Sequence, residues 1–189
     1  STAYPANPDS EYGWEKLFSE RLFFSYQRNY GIDIKVARFH NIFGPEGTFE
    51  GGKEKVPAAI CRKVAMGTNE IEVWGDGLQT RSFLYVDECI KATRKLMDSD
   101  FSGPVNIGSE EMVSINQLVE MVLDIANKEM EIKHIDGPLG VRGRTSDNKL
   151  LQSKLDWEYT MSLKTGLEKT YSWSSNQINS QRLFFFKRA

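Results

Sequence analysis

Near the start of the chain, in EYGWEKL, Tyr12 and Lys16 have residue types and spacing that suit proton transfer. An α-helix turns every ~3.6 residues, so the two share a face, and a nearby ammonium favours the phenolate over the phenol. The same spacing also arises by chance in ordinary helices, as one aromatic beside one solvated cation. Taken alone, Lys55 in GGKEKV reads as a surface lysine at a helix start. Arg81 in QTRSF and Arg144 in VRGRTSD read alone as solvated charge, although a guanidinium fork can bind two phosphate oxygens at once. The glycines around Arg144 allow a close backbone approach to a ligand. His40 and His134 lack ligand spacing, so no metal is expected and both are assigned to packing or hydrogen bonding.

The elements that must position these residues alternate between helix and strand. Residues 11 to 30 place Trp14, Leu17, Phe18, Leu22 and Phe23 at helical spacing, and residues 32 to 39 alternate as a strand after Gly31. GPEGTFEGGK (44 to 53) is a glycine-rich loop too long for a simple connector, and KVPAAICRKVAMG then predicts a helix ending at Gly67. IEVWG and RSFLYV read as strands around the turn residues GDG, followed by a helix from about Asp87 to Met97. VNIGS (105 to 109) reads as a short strand. Ser114 with Gln117 forms a capping box for a helix to about Asn127, and EIKHI reads as a strand. Residues 137 to 148 form a second glycine-rich loop, LLQSKL and SLKTGLEKTYSWSSNQ read as helical, and the tail RLFFFKRA stays unassigned. The alternation predicts an α/β protein.

Composition narrows the function classes. A chain of 189 residues suits one domain with a sizeable core, or a domain plus part of another. A net charge of -2 without a long basic stretch argues against nucleic acid as a partner. No apolar run approaches the ~20 residues of a membrane span, so a soluble, non-membrane protein is expected. Cys61 and Cys89 show no CxxC spacing and are expected as two half-buried thiols in a reducing, cytoplasmic compartment. Trp74, Trp157 and Trp173 are expected as core or interface aromatics.

YGWEK followed by a helix and IDIKVARFHNIFGP resembles the extended short-chain dehydrogenase/reductase family, with its Tyr-x-x-x-Lys pair and R-x-x-N-x-[YF]-G-P exit. WGDGLQTRSFLYVDE, VNIGS and the Arg-bearing loop continue the likeness over about residues 4 to 175. Within the family, RFHNIFGPEGTFEGGKEKVPAAICRK, PVNIGSEEMVS and GPLGVRGRTSDN are most similar to enzymes that epimerise GDP-mannose. The resemblance implies a Rossmann-type doubly wound parallel sheet with a smaller α/β substrate-binding domain. It also implies NAD as cofactor, GDP-mannose as substrate, GDP-L-galactose or its gulose isomer as product, and a homodimer.

Residue roles follow from the same likeness. Tyr12 would take a proton from a sugar hydroxyl, and Lys16 would lower the phenol pKa and hold the nicotinamide ribose. Lys55 would be an acid in the proton exchange next to the transient ketone, with the positive end of a helix favouring its neutral amine. Arg81 and Arg144 would clamp the diphosphate, Lys63 would make another phosphate or nucleotide contact, and Asn41, Glu54, Gln79 and Thr80 would bind substrate. The family's second acid/base group is a cysteine upstream of the tyrosine, to which neither Cys61 nor Cys89 corresponds.

The sequence has no GxGxxG fingerprint for a dinucleotide pyrophosphate. The chain is therefore expected to be the later half of a longer enzyme, inactive alone, with exposed sheet edges and an apolar face. On that reading residues 1–45 and 83–108 form part of the dinucleotide-binding domain, and 46–82 and 109–189 form the substrate domain. Two alternatives stay open. One is a UDP-sugar epimerase or decarboxylase of the same family, against which Lys55 speaks; the other is a non-catalytic binding or oligomerisation remnant.

Overall fold

The protein is described by a computed structural model that covers residues 6–8, 10–137 and 142–186. Helix α1 (Glu11–Tyr30) starts where the Ser10 hydroxyl accepts the Gly13 N–H and ends at Gly31, whose φ of 68° is the left-handed region that suits glycine. It buries none of its residues, so the periodic Trp14, Phe18 and Phe23 stand 51%, 66% and 53% exposed. Polar tethers join it to the rest: Arg38 Nε donates to Glu20 at 2.7 Å, and the Gln27 amide donates to Ser102 Oγ at 3.0 Å.

Strand β1 (Ala37–Phe39) is shorter than the run of 32 to 39 that alternation predicted. Its ladder has one neighbour, β6 (Val105–Ile107), in parallel register from Ala37 opposite Val105 to Phe39 opposite Ile107. Val36, just before it, still bonds the segment leading into β6, its N–H donating to Ser102 O at 2.8 Å and its carbonyl accepting from Val105 N at 3.1 Å. Strand β2 (Ile42–Phe43) follows Asn41, which takes a φ of 46° and ties its side-chain amide to the Ser82 carbonyl at 2.9 Å.

Helix α2 (Val56–Met66) turns Pro57, Ala58, Ile60, Cys61 and Val64 inward. Its C-terminal carbonyls are closed by the Lys128 ammonium, which donates to Val64 O at 2.7 Å and Gly67 O at 3.0 Å. Strand β3 (Glu70–Trp74) alternates exposed and buried residues and pairs in parallel with β8 (Glu131–Ile135).

The predicted single strand in RSFLYV is two strands. β4 (Thr80–Ser82) and β5 (Leu84–Tyr85) separate at Phe83 because they serve different sheets. β5 pairs in parallel with β2, while β4 lies between β7 (Met112–Ser114) and β9 (Gly143–Arg144). β9 was expected as loop, and residues 138–141 of that stretch lie outside the described residues. Helices α3 (Val86–Met97), α4 (Ile115–Ala126) and α5 (Lys149–Leu155) fall close to their predicted places, α4 behind the complete Ser114/Gln117 capping box. Helix α6 (Leu163–Phe186) takes in most of the unassigned tail.

One apolar cluster joins α2, α4 and α6 under β3 through Val64, Leu118, Val122 and Leu167. A second joins α3, α5 and β6 through Leu84, Ala92, Leu96, Ile107, Leu151 and Trp157. Cys61 is fully enclosed and Cys89 is 7% exposed, so both thiols are buried rather than half-buried. Burial pushes the Cys61 thiol up to about 12. No described helix is long and apolar enough to cross a membrane.

Candidate functional site

An open groove of about 1080 Å³ lies between α1 and β1, large for a site that holds a nucleotide-sized ligand. Tyr12 and Lys16 line it from the helix, Arg38 and Phe39 from the strand, and Arg144 from β9. The Lys16 ammonium lies 5.1 Å from the centre of the Tyr12 ring and 3.5 Å from Glu15 Oε1. Helical spacing has therefore put the pair on one face, and that face opens to solvent with Tyr12 69% exposed.

The two arginines from distant parts of the sequence become neighbours. Arg81 and Arg144 are register partners across the parallel β4–β9 pair. Burial first and the Arg144 charge second pull the Arg81 guanidinium below its ordinary value. Two like charges on adjacent strands repel each other. Arg81 Nη1 also donates to the Thr80 carbonyl at 2.7 Å.

A small polar network fixes the segment that carries Arg144. The Asn148 amide donates to Gly108 O at 2.8 Å, its backbone N–H donates to Glu110 Oε1 at 2.9 Å, and Ser146 Oγ donates to Asn148 Oδ1 at 2.6 Å. Gly108 is required here, since a Cβ would come within 2.7 Å of Ser146 and His40 side-chain atoms. His40 is held by a hydrogen bond with Asn106 and is lowered by burial first, with Arg144 and Arg38 pushing the same way. Sequence reasoning missed Ser146 and Asn148; the positions are legible only as a polar run after the glycine-rich loop.

Lys55 stands elsewhere. It is the N-cap residue of α2 and lines a second depression of about 310 Å³ with Lys53, Gly44, Thr48 and Val86. The structure does not bring it into the groove of Tyr12. Glu54, one residue earlier, faces Arg62 with Oε1 2.8 Å from Nη2. Its carboxyl is held low by its own backbone N–H first, with burial opposing and Arg62 adding to the lowering.

The remaining candidates have local partners. Lys63 donates to Glu72 O at 2.7 Å and the Gln79 amide to Trp74 O at 3.3 Å, with Gln79 Oε1 buried and unpartnered. Thr80 sits in β4 opposite Ser114 and Gly143, and Asn41 holds the Ser82 carbonyl. Among the described residues, no group of three or more His, Cys, Asp or Glu side chains could hold a metal ion.

Residues 1–108 match the NAD dependent epimerase/dehydratase family. The chain belongs to that family. It is 53% identical over 182 residues to GDP-mannose 3,5-epimerase of Arabidopsis thaliana, a match covering 96% of this chain and 48% of that protein. The same values hold for GDP-mannose 3,5-epimerase 1 of Oryza sativa subsp. japonica. UDP-glucuronic acid decarboxylase 5 of Arabidopsis thaliana is 33% identical over 86% of this chain and 47% of its own. The chain thus spans about half the length of the curated relatives it matches.

Among solved structures, UDP-glucose 4-epimerase of Thermotoga maritima superposes with a TM-score of 0.85 at 28% identity, covering 92% of this chain and 56% of that one. UDP-glucuronic acid 4-epimerase from Bacillus cereus in complex with UDP-glucuronic acid and NAD gives 0.79 at 25%, over 94% and 57%. The mixed α/β architecture of this family member, with its parallel β1–β6, β2–β5 and β3–β8 pairs, is accordingly of the Rossmann type.

Proposed function

We propose that this chain supplies the substrate-binding and proton-handling half of an NAD-dependent epimerase acting on GDP-mannose. The carrying observation is the Tyr12–Lys16 pair opening onto a groove that Arg144 also lines. The 53% identity to GDP-mannose 3,5-epimerases supports the guanosine sugar over the uridine sugars of the more distant relatives.

The residues of the groove fit the nicotinamide end of the cofactor. Lys16 offers three donors on an exposed stem, and the groove has room beside it. NAD, when bound, accepts a hydride from the sugar and returns it. Tyr12 would take the hydroxyl proton as that carbon is oxidised, and Lys16 would stabilise the phenolate and orient the ribose. Arg81 and Arg144 would hold the diphosphate, with Lys63 as a further nucleotide contact. Asn41, Glu54, Gln79 and Thr80 would contact the substrate. Lys55 would give or take the proton at a carbon next to the ketone from its place at the start of α2.

Residues 1–45 and 83–108 would belong to the dinucleotide side and 46–82 with 109–189 to the substrate side. Two buried, unpaired thiols support a cytoplasmic setting. The exposed apolar side of α1 supports a homodimer. Ligand-observed saturation-transfer NMR with GDP-mannose and UDP-glucose mixed tests the substrate. Signal confined to the guanosine sugar is expected, and signal confined to the uridine sugar would replace this reading with a UDP-sugar enzyme.

A further inference from the structure

Lys55 stands at a junction between two very different pieces of backbone. On its C-terminal side α2 is firmly seated, and the Lys55 carbonyl already accepts the Ala59 N–H at 2.9 Å. On its N-terminal side Gly51 and Gly52 take φ of 87° and 80°, and a Cβ built at either would meet nothing within 4 Å. The two glycines are the open part of a loop that packs further back, where the Phe49 ring stands edge-on to Trp173 of α6 with centroids 5.1 Å apart. The Lys55 side chain makes no capping hydrogen bond of its own.

Between the two glycines and the helix sits the Glu54–Arg62 ion pair. Arg62 projects from α2 itself, and its Nη2 donates to Glu54 Oε1 at 2.8 Å, with the Arg62 side chain 24% and the Glu54 side chain 9% exposed. Glu54 Oε2 and Arg62 Nε are both buried without a partner. They are the two atoms that a side-on fork would join.

We propose that Arg62 is a positioning residue for Lys55: by anchoring Glu54 to α2 it fixes the backbone on which Lys55 stands and so aims the ammonium at the substrate. This rests on the proton-exchange role given to Lys55 above. Its ion-pair partner is Glu54, through which it would act on Lys55. An anchor of this kind matters because small displacements of a reacting group cost rate steeply, while affinity is spread over Arg81, Arg144, Lys63 and the other contacts besides Glu54.

The test uses the complete enzyme, with GDP-mannose in deuterated water. Arg62→Gln is expected to slow deuterium entry into the sugar about 100-fold while the calorimetric Kd for GDP-mannose changes little. Arg62→Lys, which keeps a cation for Glu54 Oε1, is expected to recover most of the loss. Unchanged deuterium entry in Arg62→Gln, a loss of affinity that matches the loss of exchange, or no recovery with lysine would each overturn the proposal.

Should Arg62→Gln leave Glu54 too costly to bury, the Glu54→Gln/Arg62→Gln double variant removes both charges together. Exchange at the wild-type rate in that folded variant would also overturn it. If the wild-type enzyme itself shows no deuterium entry, the GDP-mannose reading fails and the anchor is judged by amide hydrogen exchange over residues 50–55. Arg62→Gln is expected to speed that exchange, and unchanged exchange would overturn the anchor on its own.

Discussion

Helices α1 and α2 carry the two proton-handling centres of the proposed reaction on supports of opposite kinds. α1 has 20 residues and buries none, so Tyr12 and Lys16 ride on a helix held by its own hydrogen bonds, its Ser10 cap and a few polar tethers. α2 has 11 residues, five of them buried, with Ile60, Cys61 and Val64 in the cluster shared with α4 and α6, and it presents Lys55 from a packed platform. In α1 the residues at helical spacing stand at the surface, and in α2 they form the core. Amphipathic spacing in a sequence shows that a face is apolar, and the neighbours decide whether it is covered.

The contrast can be broken by substitutions that separate chemistry from stability. Tyr12→Phe in the complete enzyme is expected to lower kcat by about 100- to 10,000-fold, since it removes the acid/base hydroxyl, while the denaturant midpoint of the chain stays put. A midpoint shift comparable with a core substitution would show that α1 is packed after all. Leu118→Ala, by contrast, empties a fully buried position between α2 and α4 and is expected to cost about 2–5 kcal/mol in urea unfolding. Phe18→Ala on α1 should change the same measurement by less than about 0.5 kcal/mol.

An effect smaller than that of Leu118→Ala sharpens the comparison through pH. Glu88 is 1% exposed, accepts from Lys91 at 2.8 Å, and takes the Thr160 N–H at 3.1 Å, which ties α3 to the stretch before α6. Burial pushes its carboxyl up, but the Lys91 and Thr160 hydrogen bonds and the Lys91 charge outweigh it, leaving the net value below the ordinary one. A depressed folded value means the stabilisation is present above the unfolded carboxylate pKa, about 4.3, and is lost as pH falls through the folded value. Glu88→Gln is expected to cost about 1–3 kcal/mol at neutral pH and to flatten that acid limb in denaturant titrations. A mutant curve parallel to wild type would remove Glu88 from the account.

Ser10→Ala should have the smallest effect. It removes the side-chain acceptor for the Gly13 N–H, 3.3 Å away, and caps are worth about 1 kcal/mol. Because α1 lacks buried side chains, the loss should appear as faster amide hydrogen exchange confined to its first turns, with global stability unchanged.

Several features were legible in the residues themselves. Ser10 and Gly31 bound α1, Ser114 and Gln117 start α4, and Tyr12 and Lys16 share a face, because each depends on atoms within about one helical turn. The motif strings were likewise enough to reach the family. The break of RSFLYV at Phe83 was not legible, since Ser82 and Leu84 are both good strand residues and only their different sheet partners part them.

The sequence by itself determined where the helices begin and which residues could handle a proton or a phosphate, because capping, spacing and side-chain chemistry are local. Tertiary structure alone decided that Arg81 would face Arg144 across β4 and β9, that Glu54 would be claimed by Arg62, that both thiols would be buried, and that α1 would lie open. Those outcomes depend on strand pairing and packing between segments far apart in the chain, where no periodicity or spacing records the partner.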